Sequence, residues 1–148
     1  MPNHCENELK VKGPQDELER FKLFAKGIYP FGDDKEEILC CNNFIPAPKE
    51  AIHDYSNVGY DWCIRNWGTK WGCYDIELLE YKDLLGYKFL TAWTPAKPVI
   101  EKMGEMFPLL KFELKYWEGG MGFKGVLKIE NGEVVFDKEK DYAGMRGG

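Results

Sequence analysis

The stretch "YDIELLEYKDLLGYKFLTAWTPAKPVIEKMGEMFPLLKFELKYWEGG", residues 74–120, decides the fold. Residues 74–82 and 86–94 read as two strands joined by a turn around 83–86. In the second, Tyr87, Phe89, Thr91 and Trp93 share one face, and Lys88, Leu90 and Ala92 the other, the period of two that marks a strand. "TPAKPVIEKMGEMFP" then reads as a helix. Thr94 is expected to cap it and Pro95 to lie in its first turn. Val99, Ile100, Met103, Met106 and Phe107 make its apolar stripe, and Pro108 ends it. Residues 110–120 alternate again, so this stretch is strand, strand, helix, strand.

Working outward to the N-terminus, "CENELKVKG" alternates with Leu9 and Val11 on one side and Glu8, Lys10 and Lys12 on the other. "GPQDELERFKLFAKG" follows as a helix. Pro14, Asp16 and Glu17 suit its start, Leu18, Phe21 and Phe24 or Ala25 its buried face, and Gly27 its stop. Toward the C-terminus, "FKGVLKIENGEVVFDK" holds Asn131-Gly132 between apolar runs, a strong hairpin signal. "EGGMGFKG" reads as a loop or bulge before it. The glycine-rich end "DYAGMRGG" is expected to fray.

Between the first helix and the central hairpin the chain makes an excursion, with prolines at 30, 46 and 48. A short helix or strand is expected near residues 38–40, and a short helix over 60–66 ending at Gly68. Without this insertion and the last strand the order is β-α-β-β-α-β, a ferredoxin-like split unit. The expected fold is therefore α+β: an antiparallel sheet with two helices on one face, an insertion at about 28–73, and an extra C-terminal hairpin strand, all in one domain over 1–148.

The totals narrow the function. A net charge of −5 on 148 residues disfavours nonspecific nucleic-acid binding. The five cysteines are odd in number, and neither a secretory signal nor an apolar run of membrane-spanning length is present. A reduced cytoplasmic setting follows, with the cysteines as small buried hydrophobes. No paired Cys-x-x-Cys spacing speaks for zinc, no nucleotide or hydrolase signature is present, and no cofactor is implied. Only a Cys63–His53 or Cys5–His4 dyad speaks for an enzyme, and two histidines among five cysteines make such neighbours by chance.

The segment "YDWCIRNWGTKWGCYD", residues 60–75, is the richest in candidate contacts. If 60–66 is helical, Tyr60, Cys63 or Ile64, and Trp67 seal it onto the sheet, while Trp62, Arg65 and Asn66 point elsewhere. "NWGTKW" presents Lys70 between two rings, which suits a flat anionic ligand. The same residues also suit a plain role, with the tryptophans as core and Lys70 at the helix end. "GMGFKGVLKI" has a faint likeness to the glycine-aromatic strand of RNA recognition motifs. Leu127 and Ile129 stand where that signature wants an aromatic.

The blocks "MPNHCENELKVKGP", "FIPAPKE", "YDWCIRNWGTKWGCYD", "TAWTPAKPVI" and "YAGMRGG" together resemble the YubB-like ferredoxin-like domain family. Its members are small phage, prophage and plasmid proteins of unknown function. Where that family more often has tryptophan, this chain has His4. The resemblance implies a ferredoxin-like fold and a mobile-element origin in a bacterial host cytoplasm, without supplying catalytic residues. It draws attention to Asn3, Cys5, Asn7, Trp62, Asn66, Trp67, Gly68, Thr69, Lys70, Trp71, Trp93 and Pro95. The reading that joins these observations is a noncatalytic accessory protein that binds a host protein or a nucleotide-like signal through Trp62, Arg65, Asn66, Trp67, Lys70, Trp71 and Trp93. Nucleic acid through the sheet face and a small cysteine enzyme are the rival readings, and homodimerisation through the last hairpin is a further expectation.

Overall fold

In the computed structural model, residues 3–32, 34–120 and 122–141 are described. The expected fraying of "DYAGMRGG" and the closing block of the family resemblance fall, after Asp141, outside them. In chain order the elements are β1 (His4–Lys12), α1 (Gln15–Ala25), β2 (Gly27–Ile28), β3 (Glu36–Glu37), α2 (Cys41–Phe44) and α3 (Lys49–His53). One π-helical turn, Tyr55–Gly59, leads into α4 (Tyr60–Asn66). Then come β4 (Tyr74–Tyr81), β5 (Leu84–Ala92), α5 (Lys97–Met106), β6 (Lys111–Glu118), β7 (Phe123–Glu130) and β8 (Glu133–Asp141).

Six strands form one sheet in the order β4-β5-β1-β6-β7-β8, every neighbouring pair antiparallel. The four strands β4-β5-β1-β6, with α1 and α5 against one face, are the ferredoxin-like arrangement the patterning predicts. Two strands extend the sheet beyond it, one more than the single extra strand expected. β6 and β7 form a hairpin of their own, Glu118 paired with Phe123, and Asn131-Gly132 closes the next with both residues at positive φ.

Alternation carries the core. Cys5, Leu9 and Val11 of β1, Leu85, Tyr87 and Phe89 of β5, and Phe112, Leu114 and Tyr116 of β6 are buried under the helices. Phe21 of α1 is their hub, its ring against Phe44, Tyr87, Phe107 and Phe112 at 5.2–6.1 Å between centroids. The insertion joins this core through Cys41, Phe44, Cys63 and Trp67. It widens the helical layer and leaves the opposite sheet face open.

Several local expectations are corrected. Residues 38–40 form neither helix nor strand; the two-residue pairing of β2 with β3 precedes them, and α2 begins at Cys41. The β4–β5 turn is tighter than expected, with Asp83 at φ 59 and Gly86 already inside β5. Trp93 does not continue the face of Tyr87, Phe89 and Thr91, because it leaves the strand at φ 71. The second helix begins at Lys97, with Ala96 at the cap position. Thr94 does not cap it: its hydroxyl donates to the Gly68 carbonyl at 2.6 Å. Cys63 on α4 and Trp67 just past its end are buried, but Tyr60 and Ile64 are exposed and do not seal the helix.

Candidate binding surface

Residues 60–74 form the surface from a buried anchor outward. Trp67, just past the end of α4, is fully buried. Its indole N–H donates to the Ile45 carbonyl at 2.8 Å, tying the proline-rich loop to the core. Phe31 and Trp62 meet it edge-on, at 5.7 and 5.4 Å between ring centres. Phe31 also contacts Tyr29 and Tyr55, so aromatic edges hold the insertion together.

The chain then reverses at Gly68, at φ 78. A Cβ there would lie 2.6 Å from Pro98 Cδ, so only glycine fits both the turn and the close approach. Two hydroxyls stitch this turn to the β5–α5 junction. Thr69, buried, donates to the Ala92 carbonyl at 2.8 Å, and Thr94 donates to Gly68. The stitching fixes where residues 70 and 71 emerge.

Lys70 emerges between two rings. Its ammonium lies 4.9 Å from the centre of Trp71 and 5.5 Å from that of Tyr60. The Tyr55 hydroxyl donates to the Lys70 carbonyl and holds the backbone. Among the described residues, no carboxylate forms an ion pair with Lys70. Trp71 is half-buried and tilted against Tyr74 at 6.5 Å, and the Tyr74 hydroxyl bonds His4 Nδ1. Tyr60, Lys70, Trp71, Tyr74 and His4 thus form one row of rings with a cation held inside it, an arrangement that can stack a flat group and neutralise an anion.

The sequence-selected residues therefore separate. Lys70 and Trp71 lie together at the surface. Trp67 is core and offers no surface to a partner. Trp62 covers Trp67 from the half-exposed side. Arg65 is exposed, its Nε directed at the Asp61 carbonyl of its own helix, and Asn66 donates to the Trp62 carbonyl. Trp93 is exposed at the stitched junction, its backbone N–H on the Asn3 carbonyl. Of the residues the resemblance draws attention to, Cys5 and Asn7 face the core; Asn7 donates to Thr91 Oγ1 at 3.1 Å. Tyr60 and Tyr74 enter the row although neither was chosen from the sequence. No spacing marks them, since Tyr60 lies ten residues before Lys70 and Tyr74 four after it.

All five cysteines are buried and reduced. Burial pushes the Cys5, Cys40 and Cys63 thiols up to about 12, away from the reactive thiolate. The Cys41 and Cys73 sulfurs lie 3.7 Å apart. Cys5 faces the core while His4 faces out, and Cys63 is buried while His53 is exposed, so neither imagined dyad has its base beside its thiol. Among the described residues no three His, Cys, Asp or Glu side chains gather as metal ligands, and no helix is long and apolar enough to cross a membrane. Burial also raises the Glu37 carboxyl to about 7, against weaker lowering by Cys40 and Lys35.

The family model described as the ferredoxin-like domain in Api92-like protein matches residues 66–145, more than half of the chain. The crystal structure of a protein api92 from Yersinia pseudotuberculosis is similar in fold, with a TM-score of 0.76 over 98% of this chain and 100% of that one, at 9% identity. No curated protein matches the chain.

Proposed function

The chain belongs to the family of the ferredoxin-like domain in Api92-like proteins, and from that premise we propose that it is a noncatalytic binding module. Its contact surface is the row of Tyr60, Lys70 and Trp71, flanked by Trp62, Arg65, Asn66 and Trp93. The observation that carries this reading is Lys70, an ammonium without a carboxylate partner among the described residues, held between two rings on a backbone stitched in place. The matching ligand is flat and anionic, as a nucleotide-like signal is. The buried, high-pKa thiols support the noncatalytic side of the reading.

In this proposal the protein is an accessory of a phage or plasmid. It works in the cytoplasm of a bacterial host and counters a host defence by sequestering a nucleotide-like signal. Occlusion of a host protein complex by the same surface is the rival outcome. The test is the double variant Lys70→Ala, Trp71→Ala, with its melting temperature checked against the parent. Loss of ligand or partner binding with the fold retained supports the assignment. Undiminished binding overturns it.

A further inference from the structure

The open face of the sheet sorts its charges. The strand registers align its side chains into rows across the strands. One row runs Glu8, Lys115, Val126, Lys138, and the next Glu6, Trp117, Lys124, Lys140. Lys115, Lys124, Lys138 and Lys140 thus gather on three strands around Trp117, Val126 and Phe136, and line a depression of about 660 Å³. Glu8 and Glu139 are the carboxylates of its lining. The opposite half of the face holds Glu6, Glu8, Asp75 and Glu77 with Lys88, and Trp117 borders both halves.

This basic half sits on a chain of net charge −5, so composition alone gives no hint of it. Among the described residues, no carboxylate forms an ion pair with Lys115, Lys138 or Lys140. Lys124 and Lys140 are direct cross-strand partners, and like charges so placed oppose strand pairing. The rings suit an anion that carries bases. Phe136 is 39% exposed, and the Trp117 indole is oriented by its N–H bond to the Glu6 carboxylate at 3.0 Å. Unpaired bases stack on such rings while lysines meet the phosphates; a duplex keeps its base faces hidden.

We propose that the open face of β6, β7 and β8 is a binding site for single-stranded nucleic acid, with phosphates on Lys115, Lys124, Lys138 and Lys140 and a base against Trp117. The site is separate from the Lys70 row and stands or falls without it.

The test is fluorescence anisotropy of a labelled twenty-nucleotide oligothymidylate with the full chain, read between 50 and 200 mM salt. Four phosphate contacts on a single strand predict a slope of log K against log salt near −3, or about a 50-fold loss of affinity over that range. Lys115→Ala with Lys138→Ala removes two, so the slope falls to about −1.4 and the loss to about sevenfold. Lys10→Ala with Lys88→Ala, outside the basic half, leaves both values unchanged. Melting temperatures confirm that each variant is folded. No anisotropy change at 50 mM salt, equal binding of a duplex, or an unchanged slope in the Lys115, Lys138 variant overturns the proposal. So does a concentration-dependent doubling of mass that this variant abolishes, because a second copy of the chain then covers the face.

Discussion

Gly104 of α5 lies so close to Ile129 of β7 that a Cβ placed on it would overlap the Ile129 Cγ2 methyl. This contact seats the second helix on a strand outside the four-strand ferredoxin-like core, and so ties the added hairpin to the rest.

Gly104→Ala weighs a gain of about 1 kcal/mol in helix propensity against about 1–3 kcal/mol of overpacking. Urea unfolding is expected to show a net loss of roughly 1 kcal/mol. Ile129→Leu removes the Cγ2 branch, so the double variant should recover most of the loss. Simple addition of the two effects would show that the helix is not seated by this contact.

Trp67 and Trp71 stand four residues apart with opposite roles. Trp67→Ala opens a core cavity and leaves the Ile45 carbonyl without its donor, at an expected cost of about 3–5 kcal/mol. Trp71→Ala and Lys70→Ala are expected to stay within about 1 kcal/mol of the parent. Equal losses at 67 and 71 in urea unfolding would make the Lys70 row a structural element.

Stability should also register Glu37. Its carboxyl is raised to about 7 in the folded chain, so the folded state holds that proton more tightly than the unfolded one. The contribution is fully present below the ordinary carboxylate value and is lost as pH rises through about 7. Glu37→Gln keeps a neutral group there. It should therefore be more stable than the parent at pH 8, and the difference should close toward pH 4. Parallel stability curves for the two proteins from pH 4 to 8 would contradict this.

The thiols give a further check. With all five cysteines buried, a thiol-specific chromogenic reagent should find almost none in the native protein and five after unfolding. One cysteine that reacts at once in the native state would restore the cysteine-enzyme reading.

Much of this fold was legible because its signals are local. Leu9 and Val11 alternate with lysines, Asn131-Gly132 marks a hairpin, and Val99 to Met103 repeat at helical spacing. What was not legible depends on partners far along the chain. Thr94 has the chemistry of a helix cap, but a carbonyl 26 residues away takes its hydroxyl. Trp93 follows the strand period until its backbone turns to positive φ. The candidate surface was half legible: Lys70 beside Trp71 follows from their adjacency, but the ring on its other side is Tyr60 rather than Trp67, whose depth the spacing does not show. The lysine cluster was hidden more completely, since Lys115, Lys124 and Lys138 meet only through the registers of two successive hairpins.

The most direct measurement is the melting temperature and tryptophan fluorescence of the wild-type chain against nucleotides, cyclic oligonucleotides and nucleotide-derived signals. A ligand present at 100 times its Kd stabilises the folded state by about 2.7 kcal/mol, a shift of several degrees for a chain of this size. The account predicts such a shift for at least one flat anionic ligand, with changed fluorescence from Trp71 and loss of both signals in the Lys70→Ala, Trp71→Ala variant. A flat response across the panel, or a shift that survives in that variant, contradicts it.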